Sequence, residues 1–354
     1  MVNPPPPGYP GAGYPNHLYG PPPGYLQPDL KPGAIPLRPL SLNDIYSGAV
    51  GYIRANPRLV LGLTAAVVVS TQILTALAQI ALGSTVHAIG RRGWIGEVTP
   101  INFDAPTVAL VGASMITPLT TIALSGVLTV VVARAVTGST IRVSETWALI
   151  RGRLAALFGF VVLFAVAGVL VCVLEIGAVV IVMQDTEGRS GSVLTAGIAV
   201  GLGVMVAAVY GYVVLAFTPT VIVLEHRPIS GAMRRSWALV RHSFWRVLGV
   251  LALTALITAL ISSAVAFPFD VIGAAVSHNP TELTASAQAG LIPQIGSALG
   301  QIIGLPFTAG VTMLLYTDRR FRAETFDAVL RSAFLGGPWY GMPADLLWRV
   351  LPPT

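Results

Sequence analysis

Charge is scarce in this 354-residue chain. Charged residues make up 10% of it and hydrophobic residues 54%, where an ordinary soluble domain carries about a quarter charged residues. So few charges cannot furnish a water-facing surface, which excludes a soluble globular protein and leaves lipid to cover much of the chain. Mean hydropathy is correspondingly high, at +0.75. Lysine is almost missing: Lys31 stands alone, and arginine supplies the remaining 20 (21 − 1) basic residues. With so much Ala, Gly and Val, that bias suggests a GC-rich, actinobacterial source. Cysteine is limited to Cys172, so an intramolecular disulfide and a cysteine-based metal cluster are both excluded. Residues 1–50 hold no apolar run, so no cleavable signal peptide is expected and the first span acts as an anchor. His17, His87, His226, His242 and His278 are scattered, with neither HExxH nor GxxxxGK[ST] anywhere. No metal and no cofactor are expected.

What is there begins with a net charge of +6 and a pI near 9.8. In a membrane chain that excess serves as an orientation signal and an attraction to anionic lipid rather than to nucleic acid. Residues 1–38 are rich in Pro, Gly and Tyr, with Pro4–Pro7, Pro21–Pro23 and the repeat Pro7-Gly8-Tyr9 and Pro23-Gly24-Tyr25. Such a stretch has no apolar set to bury, and a disordered tail with local polyproline II character is expected. It is either a flexible tail or a docking arm for a protein partner.

Six apolar stretches pass the length test of about 20 residues, near 59–83, 107–136, 154–183, 193–224, 247–271 and 291–316. The sequence therefore predicts an all-α membrane protein with about six transmembrane helices. Residues 39–335 form the membrane domain and 336–354 a short C-terminal tail. Pro118, Pro219, Pro268 and Pro306 are expected to kink or end their helices. Only Arg91, Arg92 and Arg189 fall in the odd-numbered loops, leaving 18 (21 − 3) basic residues on the other side. The positive-inside rule then gives a multi-pass plasma-membrane protein with both termini cytoplasmic.

An internal repeat runs at an offset of 90 residues. Trp147-Ala148-Leu149-Ile150-Arg151 aligns with Trp237-Ala238-Leu239-Val240-Arg241, and Gly159 with Gly249. Val143, Trp147, Ile150 and Leu154, matched by Met233, Trp237, Val240 and Phe244, have a 0, 4, 7, 11 spacing that predicts one apolar helix face. A weaker copy holds Ile53-Arg54 and Gly62, and Ser41 and Ser230 follow similar Arg-Pro pairs as helix N-cap candidates. The chain reads as three units, each an interfacial elbow helix followed by a two-span hairpin. Arg54, Trp147, Arg151, Arg234, Arg235, Trp237 and Arg241 are the expected contacts to lipid head groups.

The Pro/Gly/Tyr tail, RPLSLNDIYSGA at 38–49, SWALVRHSFWRVLG at 236–249 and LLYTDRRFRAETFDAVL at 314–330 resemble actinobacterial proline- and glycine-rich transmembrane proteins. That family is often described by similarity to the membrane domain accompanying glycerophosphoryl diester phosphodiesterases. The resemblance implies a polytopic membrane domain; a catalytic phosphodiesterase domain is not expected, because only about 38 residues follow the last span. The family's Glu-Gly-x-Asp-Leu pattern reads Glu324-Thr325-Phe326-Asp327-Ala328 here.

Polar groups at membrane depth are few. Glu175 lies well inside an apolar run, as a proton or cation relay, a substrate contact, or a residue at the far interface. Gln72, Gln79 and Gln301, with neighbouring threonines, form mildly polar faces suited to interhelical hydrogen bonds. Gly296, Gly300 and Gly304 repeat every four residues, a pattern for close helix packing within the chain or, alternatively, in a homo-oligomer. Gly188-Arg189-Ser190-Gly191 has the G-x-S-G form of rhomboid proteases, but Ser190 sits in a short polar loop and His278 lies off the spans. The expectation is a non-catalytic membrane protein that organises lipids or partners. A transporter or lipid-translocating protein is the alternative.

Overall fold

A helix needs about 20 residues to cross a hydrocarbon core of about 30 Å, and long helices dominate the computed structural model. It describes Gly33 and residues 35–93, 116–138, 150–184, 191–277, 283–335 and 338–349. Every regular element among the described residues is α-helical. In chain order these are α1 (Leu42–Ala55), α2 (Pro57–Gly93), α3 (Ile116–Val136), α4 (Leu154–Gln184), α5 (Gly191–Leu215) and α6 (Thr218–Leu224). There follow α7 (Ile229–Val240), α8 (Phe244–Ser277), α9 (Leu283–Glu324), α10 (Phe326–Leu335) and α11 (Ala344–Leu347). Six stretches, α2, α3, α4, α5 with α6, α8 and α9, are long and apolar enough to cross a membrane.

The fourth span, 193–224, is interrupted near Pro219 as expected. It breaks at Ala216–Phe217, and Pro219 sits in the first turn of α6, where its missing N–H does no harm. The second span is described from Ile116 onward; residues 107–115, the second elbow through Leu149 and most of the N-terminal tail lie outside the described residues. Pro293, Pro306 and Pro268 are carried inside α9 and α8. At 42 residues, α9 is about 63 Å long, so it outruns the membrane and carries a polar extension, Thr317–Glu324.

Glycine sets the spacing of α8 and α9. A Cβ on Gly300 would meet the Ser262 Cα at 2.9 Å, and one on Gly296 would meet the Ala266 Cα at 3.0 Å. Around the polar extension the remaining core assembles. Ser41 caps α1 through a capping box: the Asp44 amide donates to Ser41 Oγ at 3.2 Å and the Ser41 amide to Asp44 Oδ2 at 3.0 Å. Ser230 has no such role, because Pro228 is the residue that precedes α7. Tyr52 of α1 is buried against Gly310 and donates to the Pro306 carbonyl.

Both supposed tails join this core. Ile35 and Leu37 are buried, as are Leu347 and Trp348, so the packed region extends past the boundaries at 38 and 336. The face that α7 buries is also one residue round from expectation: Ala232, Ser236, Leu239 and Val240 face inward. Ser236 takes the Val214 carbonyl, which the broken fourth span leaves without its usual partner. Trp237 is turned outward.

Between α9 and α10, Thr325 has φ of 50°, a left-handed conformation that β-branched residues adopt at a cost of about 1–2 kcal/mol. It stands where the resembled pattern has glycine. Thr325→Gly should therefore stabilise the protein by about 1 kcal/mol, read as a higher melting temperature in detergent. A lower one would show that the bond from Thr325 Oγ1 to the Glu324 carbonyl outweighs the strain.

Candidate functional site

Two features among the described residues offer chemistry: a cavity between the apolar helices α4 and α5, and an ionic base built around the end of α9. The cavity, about 710 Å³, lies between α4 and α5 with Phe160, Phe164, Leu174, Ala208 and Tyr212 in its walls and Met233 of α7 at one end. Its walls are almost wholly apolar. Phe160, Phe164, Tyr212 and Leu215 also bound a second chamber of about 370 Å³, which reaches Pro219 at the helix break. Ser125, Thr308 and Thr312 line that chamber. Each of these hydroxyls donates to a carbonyl of its own helix at 2.8–3.0 Å, so the chamber is offered their acceptor lone pairs. Outward of the cavity, Phe158, Val166, Leu170, Ile198 and Leu202 are exposed apolar side chains, as befits a lipid-facing surface.

The ionic base is built by the polar extension of α9. Glu225, after α6, has a side chain only 4% exposed. It accepts from Arg227 at 2.8 Å, from Arg235 at 3.1 Å and from the Tyr316 hydroxyl at 2.7 Å. Arg235 also pairs with Glu324, which accepts from the buried Arg320 at 3.1 Å. Arg320 donates onward to the Trp348 carbonyl at 2.9 Å and lies 3.9 Å from the Phe326 ring centroid. Burial alone would lower the Arg235 pKa, but the carboxylates of Glu225 and Glu324 outweigh it and hold it above the ordinary value.

Asp318 forms the second knot. Its buried carboxylate accepts from the Leu40 amide at 2.9 Å, from Arg322 at 2.8 Å and from Arg246 at 3.2 Å. Both arginines also donate to the Leu40 carbonyl at 3.0 Å, and Arg331 donates to the Leu37 carbonyl at 2.7 Å. The lead-in to α1 is thus clasped through its backbone. Every acid in these two knots has fixed partners.

The residues singled out in the sequence are distributed differently. Glu175 is half-buried on α4, facing Gly201 of α5. Gln301 donates to Ser297 in its own helix at 3.0 Å, and Gln72 is half-buried on α2. No hydrogen bond or ion pair joins these three among the described residues. The side chain of Gln79 and all of Trp147 lie outside them. Arg235 is corrected: it turns inward to Glu225 and Glu324 rather than outward to head groups. Arg54, Arg151, Arg234 and Arg241 remain exposed, the last stacked 5.0 Å from the Trp237 ring.

Sequence reading missed the base. A signal was present in the run from Asp318 to Glu324, where Asp318 with Arg322 and Arg320 with Glu324 sit four apart on a helix.

Together these features define a polytopic helical membrane protein with an apolar cavity between two of its long helices and an ion-paired base. The chain belongs to the family described as a domain of unknown function, DUF7847, whose profile matches residues 40–319. No curated protein and no solved structure matches it.

Proposed function

We propose that this is a non-catalytic membrane protein that holds a membrane lipid, its acyl chain lying in the cavity between α4 and α5. The apolar cavity between two lipid-facing helices carries the reading. From Phe160 to Leu174 it follows α4 for about 21 Å, more than the roughly 15 Å half-thickness that one acyl chain reaches. The hydroxyl-lined chamber supplies acceptors for a donor group on the lipid. The positive-inside balance supports a cytoplasmic ionic base, the plasma membrane as location, and both termini on the cytoplasmic side. The saturated acids of the base support a structural role for them rather than catalysis. The repeated elbow-and-hairpin reading fits the short helices α1 and α7, each followed directly by a span.

The test uses a phospholipid bearing a mid-chain photo-crosslinker, in nanodiscs with the full chain. Crosslinks should concentrate on α4 and α5 peptides. Ala208→Trp, which fills the cavity, should reduce them at least tenfold while leaving crosslinks at exposed Ile303 of α9 unchanged. Equal crosslinking in both proteins would sink the reading. Translocation of lipid is the second reading, favoured by the helix break beside the hydroxyl chamber. It requires that the purified protein scramble a labelled lipid across vesicles, which the holding role does not.

A further inference from the structure

The smaller chamber, which shares Phe160, Phe164, Tyr212 and Leu215 with the acyl cavity, is polar without being charged. Among the described residues, no acidic or basic side chain lines either space. A charged group entering them would lose its water with no counter-ion to offset the loss. An ammonium, a phosphate or a carboxylate is therefore kept out, and an uncharged polar group is admitted.

The hydroxyls narrow that group further. Ser125, Thr308 and Thr312 have given their protons to carbonyls of their own helices, and each keeps acceptor lone pairs. Tyr212, in the wall common to both spaces, is the reverse. Among the described residues its hydroxyl has no hydrogen-bond partner, so its O–H can donate to a ligand. An ester carbonyl on a lipid would use only that donor. A hydroxyl uses both, accepting from Tyr212 while it donates to a Ser or Thr oxygen.

Placement agrees with the chemistry. Thr312 stands one helical turn, about 6 Å, before Tyr316 of the ionic base. The chamber thus lies toward the base end of the spans, and the cavity leads away from it along α4, from Phe160 to Leu174. A lipid with its hydroxyl in the chamber can lay a chain along that length.

We infer that the two spaces together bind a neutral lipid with a free hydroxyl, of the diacylglycerol class. Tyr212 donates to that hydroxyl, Ser125, Thr308 and Thr312 offer it acceptors, and one acyl chain lies between α4 and α5. The inference rests on the lipid-holding reading and adds which head group is held.

The test places the full-length protein in nanodiscs of phosphatidylcholine with equal small amounts of dioleoylglycerol and dioleoylphosphatidylglycerol, and measures retained lipids by native mass spectrometry. The wild type should enrich dioleoylglycerol over the charged lipid, and should not enrich the same diacylglycerol with its hydroxyl acetylated. Tyr212→Phe keeps the ring and removes the donor. It should cut the enrichment about fivefold, the worth of one neutral hydrogen bond, at an unchanged melting temperature. Ser125→Ala with Thr312→Val should lower it at least as far. Equal retention of the acetylated lipid, or an unchanged enrichment in Tyr212→Phe, would overturn the hydroxyl site; acyl crosslinks still lost in Ala208→Trp would then leave the cavity reading standing. Preference for dioleoylphosphatidylglycerol would overturn the exclusion of charge. Enrichment that survives Ala208→Trp but falls in Tyr212→Phe would keep the hydroxyl site and remove the acyl cavity from the account.

Discussion

Glu225→Gln should destabilise the protein by roughly 3–5 kcal/mol, the range for removing one partner of a buried ion pair. The carboxylate is 4% exposed and Arg235 only 15%, so neither partner can turn fully to water. An amide in its place directs its NH₂ group at arginine donors, and the Tyr316 hydroxyl and Arg227 lose a charged acceptor. The measurement is thermal unfolding in detergent, with the cycle completed by Arg235→Met and the double variant. The double variant should lose less than the sum of the two single changes, because an apolar pair removes the stranded charge. A loss below about 1 kcal/mol in Glu225→Gln would mean that the pair is solvated like a surface bridge.

Asp318→Ala should release the lead-in to α1. The substitution leaves the Leu40 amide without an acceptor, which alone costs about 1–3 kcal/mol when buried, and removes the carboxylate from Arg246 and Arg322. Those two side chains are each 37% exposed and can move to solvent, so the total should fall below that of Glu225→Gln. Hydrogen exchange gives the sharper readout. Protection at Leu37 and Leu40 should collapse, while amides in the α8–α9 hairpin stay protected. Retained protection at Leu40 would show that apolar burial of Ile35 and Leu37 holds the segment without Asp318.

How far the sequence could be read follows from which forces act locally. Spans were legible because lipid demands a continuous apolar run, and the stripe at Gly296, Gly300 and Gly304 because close approach needs small residues at fixed spacing. The helix break after Leu215 was half-legible, since Pro219 marked it but could not say whether the helix bent or stopped. The base was not legible. Glu225 meets Tyr316 across 91 residues and Leu40 meets Asp318 across 278, and no local period encodes such pairs. Ile35 and Leu37 were hidden for another reason. They sit among Pro32, Pro36 and Pro39, so composition assigned them to a tail although their side chains fill the core.

The clasp on Leu40 also fixes an order of events during synthesis. Asp318, Arg322 and Arg331 all lie in the closing part of the chain, whereas the backbone they hold precedes the first span. The first elbow helix has no final seat until the sixth span has been made and inserted, so α1 must wait, with Tyr52 and Ile45 uncovered, through the translation of all six spans. Closure of loops this long is slow compared with hairpin formation between neighbouring spans. A chain stalled before Asp318 keeps an unseated N-terminal helix, and with it the exposed apolar surface typical of an incompletely folded chain.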